Sequence, residues 1–200
     1  VYVTEFAQYG SLQNLMKHKT SDDVDMKIRI KFMIDAAKGI LYLHENGILH
    51  RDIKPNNILV FSININEKIN AKLTDFGSSR NINMLMTNMT FTKGVGTPVY
   101  MAPEVLKHEK YNKCADLYSF GVTMCQCFKW GDVYLNKHFK FPWQIAEFVS
   151  DGNRVEQPKE ISSELFDIIT KCWCQKPEAR PSIEETVFLL NKNDMRIQFN

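Results

Sequence analysis

His50-Arg51-Asp52-Ile53-Lys54-Pro55-Asn56-Asn57 places a carboxylate, an ammonium and a carboxamide on one short loop between apolar segments. Side chains of these three kinds accept a proton, neutralise an anion and hold a hard cation, so the loop reads as a site for handling phosphate. Ile48 and Leu49 lead into it. Ile58, Leu59 and Val60 leave it as a short apolar strand, Ala71 to Leu73 make a second, and polar Asn64 to Asn70 reads as the hairpin loop between them.

Upstream, Ile30, Met33, Ile34, Ala37, Ile40 and Leu41 recur at helical steps, with Ser21, Asp22 and Asp23 as cap and first-turn charge and Gly47 as the end. Before that, Ser11 reads as the N-cap of a brief helix carrying Leu12, Leu15 and Met16, and Ala7 to Gly10 as a connector. Val1 to Phe6 is rich in β-branched and aromatic residues and predicts a strand, although nothing nearby would pair with it.

Downstream, Thr74 to Glu104 is rich in Thr, Asn, Met and Gly, lacks helical period and reads as a functional loop. Cys114 to Phe128 is apolar almost all round and predicts a buried central helix through Leu117, Phe120, Met124 and Phe128. Leu165, Ile168, Ile169, Cys172 and Trp173 line another helix. Ser182 with Glu185 is a capping box opening the last one, with Val187 and Leu190 inward.

Length and charge narrow the classes. Two hundred residues suit one domain with a sizeable core, and 25 Lys+Arg against 23 Asp+Glu leave a net charge of +2, too small a field to argue for nucleic acid or an anionic membrane. No uncharged apolar run is long enough to span a bilayer. The five cysteines, an odd number with no apolar leader before them, predict reduced thiols, an intracellular and cytoplasmic setting, and buried C-x-C pairs rather than a metal site.

Asp75-Phe76-Gly77 and Gly96-Thr97-Pro98-Val99-Tyr100-Met101-Ala102-Pro103-Glu104, following the His50 loop in that order, resemble the eukaryotic protein kinases. The likeness covers the whole chain and is nearest to the Ser/Thr kinases of the tyrosine-kinase-like group, given Asp116-Leu117-Tyr118-Ser119-Phe120-Gly121. It implies an α+β, mainly α fold: residues 1–10 as the last small-lobe strand and hinge, and residues 11–200 as the helical large lobe with short strands around the catalytic loop. It implies a Ser/Thr protein kinase acting on protein hydroxyls, with ATP and Mg²⁺, or Mn²⁺ in its place, as cofactors.

The resemblance assigns roles residue by residue. Asp52 matches the base, Lys54 the γ-phosphate lysine, and Asn57 and Asp75 the metal ligands. Alone, each would read as a turn residue, a cap or a loop acid. Thr4 falls at the gatekeeper position, Glu5 to Ala7 at the hinge, Ser11 beside it, and Leu59 under the adenine, where ordinary core is equally compatible. His50 and Phe76 fit an internal hydrophobic stack, Asp116 a hold on the catalytic-loop backbone, and Glu104 with Arg180 a tie between activation segment and helical body. Lys54 with Thr97 favours Ser/Thr acceptors. Arg51 matches an arginine that receives activation-segment phosphate, which marks Thr87, Thr90 and Thr92 as candidate phosphosites.

The chain also departs from the pattern. It shows no Gly-rich loop, no strand lysine and no partnering helix glutamate; Gly94-Val95-Gly96 lies in the activation segment and follows no strand. The stretch between Asn57 and Asp75 is about five residues longer than the family's usual span. Two expectations follow: an incomplete catalytic domain of an active Ser/Thr kinase, or a catalytically silent kinase-like scaffold or binding module.

Overall fold

A computed structural model describes residues 4–81, 97–135 and 138–198, with side chains up to residue 194. Two short antiparallel ladders sit beside a mainly helical body. Helix α1, Leu12–His18, starts where Ser11 Oγ accepts the Asn14 N–H at 3.2 Å, so the expected cap holds. Helix α2, Met26–Glu45, starts later than the acidic cluster suggested. Asp23 instead closes a turn by accepting from Thr20 N at 2.8 Å, and Asp25 caps the helix through Ile28 N at 3.1 Å. Local side-chain bonds compete with helix extension, and here they win at residues 20–23.

β1, Ile48–Leu49, pairs antiparallel with β4, Arg80–Asn81. β2, Ile58–Val60, pairs with β3, Ala71–Leu73, in the predicted hairpin, with Ile58 opposite Leu73 and Val60 opposite Ala71. The long loop between them is fastened rather than loose. Asn70 donates its side-chain amide to the Ser62 and Asn64 carbonyls, and its backbone N–H reaches Asp35 of α2 at 2.7 Å.

Two predictions need correction. Residues 1–3 lie outside the described part, and Thr4 to Phe6 form no strand; Phe6 is 85% exposed. Composition favours a strand only when a ladder partner exists, and the edge of β2 is bonded instead by Tyr9 and Gly10. The stretch from Thr74 to Glu104 is not all loop: it carries β4, single 3₁₀ turns at Phe76–Ser78 and Pro98–Tyr100, and the start of helix α3, Pro103–Leu106. Pro98 and Pro103 open their turns at a position where a missing N–H costs nothing.

Helix α4, Lys113–Lys129, is the centre of the core, capped by Asn112 and buried from Ala115 to Phe128. Tyr118, Phe120 and Phe128 are fully buried on it, in the same core cluster as Phe32 of α2. Helix α5, Pro142–Ser150, follows, then α6, Ser163–Cys172, and α7, Ile183–Gln198, whose cap is Ser182 accepting Glu185 N at 3.0 Å. α6 crosses α4 closely. A Cβ at Gly121 would stand 3.0 Å from that of Cys172, closer than ordinary van der Waals contact, so a side chain there would press on α6. Leu190 is buried as expected, while Val187 is half-buried against the core. No helix among the described residues is long and apolar enough to cross a membrane.

All five cysteines are free. Burial pushes the thiols of Cys125, Cys127 and Cys172 up to about 12. At pH 8 such a thiol is thiolate only about one part in 10⁴. In a thiol-titration assay the partly exposed Cys114 and Cys174 are therefore expected to react first, and the other three only with denaturant. Rapid native labelling of all five would contradict this burial.

Candidate active site

The site is built on Asp116, a fully buried carboxylate in the first turn of α4. Its Oδ2 accepts from His50 N at 3.0 Å and faces His44 Nε2 at 2.9 Å; its Oδ1 accepts from Arg51 N at 2.9 Å and Tyr111 OH at 2.8 Å. Burial pushes this carboxyl up, but the bond and charge of His44, the Arg51 N–H and the Tyr111 hydroxyl outweigh it and hold it below the usual carboxylate range. The ionised form is thus favoured in the fold, and the stability it contributes is lost as pH falls through that lowered value.

This grip bends the backbone. Arg51 sits at φ 71°, in the left-handed region where a non-glycine residue needs outside support. The Arg51 guanidinium lies 5.7 Å from the centre of the Tyr111 ring, and its Nε has no hydrogen-bond partner among the described residues.

Beyond the bend, Asp52, Lys54 and Asn57 converge. Lys54 Nζ is 2.7 Å from Asp52 Oδ2, and Asn57 Nδ2 donates to the same oxygen at 3.0 Å and to the Asp52 carbonyl at 2.8 Å. The ammonium also donates to Thr97 Oγ1 at 3.0 Å, which ties Thr97 to the loop. Asp52 Oδ1 takes no hydrogen bond from the described residues. One carboxylate oxygen is therefore positioned and the other is available to a hydroxyl.

Asn57 is fixed by its amide nitrogen, leaving Oδ1 to face a ligand. Its carbonyl accepts from Thr74 N at 3.0 Å, so Asp75 begins one residue past the bonded pair. Asp75 is exposed, at φ 61°, with one oxygen accepting from Gly77 N at 3.3 Å. The two oxygen donors fit a hard cation whose other ligands are water and phosphate. No group of three or more His, Cys, Asp or Glu side chains among the described residues forms a protein-only metal cage.

His50 is buried, with Nε2 3.1 Å from the Thr74 carbonyl and its ring 5.6 Å from that of Phe76. Phe76 meets it as expected but is 53% exposed, so the internal stack is buried on the histidine side only. Glu104 and Arg180 form the predicted tie at 2.6 and 2.7 Å, both buried.

The residues expected on the nucleotide side are less gathered. Thr4 and Glu5 are exposed, and Glu5 pairs with Lys72 at 2.5 Å; Ala7 and Leu59 are half-buried. The Ser11 hydroxyl is committed to capping α1, while its backbone bridges to Leu59. None of them bonds to the Asp52 cluster. Thr87, Thr90 and Thr92 lie outside the described residues.

Sequence reasoning missed His44, Tyr111 and Gln126. His44 stands on the inward stripe of α2 after Ala37 and Ile40, and a polar residue on such a stripe is a readable mark of a buried partner. Gln126 is the same kind of intrusion in the apolar α4. Nothing local marks Tyr111.

Comparison with known proteins adds a family. The family model described as protein tyrosine and serine/threonine kinase matches residues 1–190. The chain is 34% identical over 184 residues to the probable serine/threonine-protein kinase gdt2 of Dictyostelium discoideum, covering 91% of this chain and 11% of that protein. In the same organism it is 32% identical over 191 residues to a probable LIM domain-containing serine/threonine-protein kinase, covering 96% and 28%. It is 33% identical over 190 residues to the RGS domain-containing serine/threonine-protein kinase A, covering 94% and 16%. The chain thus spans between 11% and 28% of the length of these curated relatives.

Proposed function

The chain belongs to the protein tyrosine and serine/threonine kinase family, and from that premise we propose that it transfers the γ-phosphoryl group of ATP to Ser and Thr hydroxyls of proteins. Members of the family use ATP with Mg²⁺. The observation that carries the reading is the Asp52, Lys54, Asn57 and Thr97 cluster, in which one carboxylate oxygen is pinned by an ammonium and an amide while the other stays open.

In this reading Asp52 takes the acceptor proton at Oδ1 as the hydroxyl oxygen closes on the γ-phosphorus and the bond from that phosphorus to the bridging oxygen breaks, with ADP leaving. Lys54 stands where the transferred group's charge develops, and its bond to Thr97 fixes the long side chain before substrate arrives. Asn57 Oδ1 and the Asp75 carboxylate would hold Mg²⁺, which supplies charge neutralisation at the nucleotide phosphates. Residues 11–200 act as the larger lobe of the kinase domain. The reaction belongs inside the cell, where ATP and reduced thiols coexist.

The test uses the whole polypeptide that carries this chain, labelled ATP and matched peptides bearing one Ser, Thr or Tyr. Transfer to Ser and Thr in Mg²⁺, abolished by a chelator and restored by Mg²⁺, is the expected result. No transfer, or transfer to Tyr alone, would sink the reading.

A further inference from the structure

A cavity of about 400 Å³ lies where the end of α2 meets the starts of α4 and α7. Its walls are apolar: Leu117 and Ile183 are buried, Leu41 and Pro181 half-buried, and the partly exposed Cys114 opens onto it. Small-molecule sites have this size and this mixture of apolar walls with few polar groups. None of the residues that converge on Asp52 lines it.

Most polar groups of the lining are committed or wet. Arg180 gives its hydrogens to Glu104 and to the Cys114, Cys174 and Gln175 carbonyls. Ser182 Oγ caps α7, and Glu45, Lys113 and Glu184 are exposed. Burial pushes the Cys114 thiol up, so it is a neutral wall rather than a nucleophile. His44 differs. It is 4% exposed, its Nε2 faces Asp116 at 2.9 Å, and its Nδ1 has no hydrogen-bond partner among the described residues. Nδ1 is not one of the partnerless polar atoms sealed from solvent, so the cavity is what reaches it.

A carboxylate only accepts, so the nitrogen facing Asp116 carries a hydrogen and Nδ1 is the atom left for a ligand. A hydroxyl satisfies Nδ1 in either state of the ring, donating to a neutral imidazole and accepting from a charged one. An ionised ligand does worse. An anion meets Glu45 and Glu184 at the rim, and a cation finds those acids only in water, where such a pair is worth little. Inside, the one guanidinium is already paired with Glu104. From the cavity and the unmet Nδ1 we infer a binding site for a small neutral aryl alcohol, with its rings on Leu41, Leu117, Pro181 and Ile183 and its hydroxyl on His44 Nδ1. The site stands one hydrogen bond from the carboxylate that shapes the His50 to Asn57 loop.

2-Naphthol, 2-naphthoate and 2-naphthylmethylammonium share one ring system and differ in charge. Each is titrated into the whole polypeptide carrying this chain while iodoacetamide labelling of Cys114 and Cys174 is followed by peptide mass. 2-Naphthol should slow labelling of Cys114 by about threefold or more, half-maximally below about 1 mM, and leave Cys174 unchanged. The two ions should need about tenfold more. His44→Gln keeps an N–H toward Asp116 and removes the ring nitrogen at the cavity, and should raise the half-maximal concentration about threefold or more. Because His44 is buried and that variant can misfold, Leu41→Trp supplies a second arm: at a half-buried position it fills the cavity from its edge and should abolish the effect of 2-naphthol on Cys114. Equal protection by the three probes, equal protection of Cys174, no protection at the solubility limit of 2-naphthol, or an undiminished effect in Leu41→Trp overturns the inference.

Discussion

Asp52→Asn is expected to lower kcat for phosphoryl transfer by about 10²- to 10⁴-fold, the span associated with a positioned general base. The substitution keeps the shape of the side chain and removes its charge, and with it the ability to take the acceptor proton and the ion pair with Lys54. Lys54 keeps its bond to Thr97, and Asn57 keeps its bond to the main-chain carbonyl of residue 52, so the neighbours have reason to stay in place. The melting temperature should move little, because an ion pair of this partly exposed kind is worth at most about 1 kcal/mol. Phosphate incorporation at saturating Mg²⁺ and ATP, paired with a thermal melt, separates chemistry from folding. A kcat within threefold of the unsubstituted protein would remove Asp52 from the role of base.

Arg180→Ala should instead unfold the protein early while leaving the reacting groups untouched. Arg180 donates to both Glu104 oxygens, to the carbonyls of Cys114 and Cys174, and stands 5.2 Å from the centre of the Tyr118 ring. Removing it strands a buried carboxylate, a loss of about 3–5 kcal/mol. For a domain of this size that is a fall of about 6–20 °C in Tm. The double variant Arg180→Met with Glu104→Leu should lose less than Arg180→Ala, since no buried charge then lacks a partner. Urea titrations of the three proteins measure this, and a single-variant loss under about 1 kcal/mol would reduce the pair to decoration.

The parts legible in the sequence were those whose cause is local. The His50 to Asn57 run could be read because each step of the chemistry demands one residue type at one spacing, and α4 because its apolar faces leave it nowhere but the core. The β2–β3 hairpin followed from two apolar runs around a polar turn. What escaped has causes elsewhere in the chain. The start of α2 depends on a contest between Asp23 and Asp25 for the nearest N–H groups. α5 hides behind Phe141 and Trp143, which put aromatic rings on its exposed end and spoil the apolar period. His44 gains its meaning from Asp116, 72 positions away, and no window along the chain spans that distance. Thr4 to Phe6 show the converse, strand-like composition without a partner in the described residues.

Asp116 grips the main-chain N–H groups of His50 and Arg51, not the side chains that follow them. Scaffold and reactivity are consequently written in different letters of the same loop. A descendant that lost Asp52 and Lys54 would retain the same arch, because the grip on the His50 and Arg51 N–H groups and the Asn57 bond to the Asp52 carbonyl ask nothing of those two side chains. Shape is then a poor witness to activity in this fold, and a silent copy would be distinguished from a working one by the identity of two side chains.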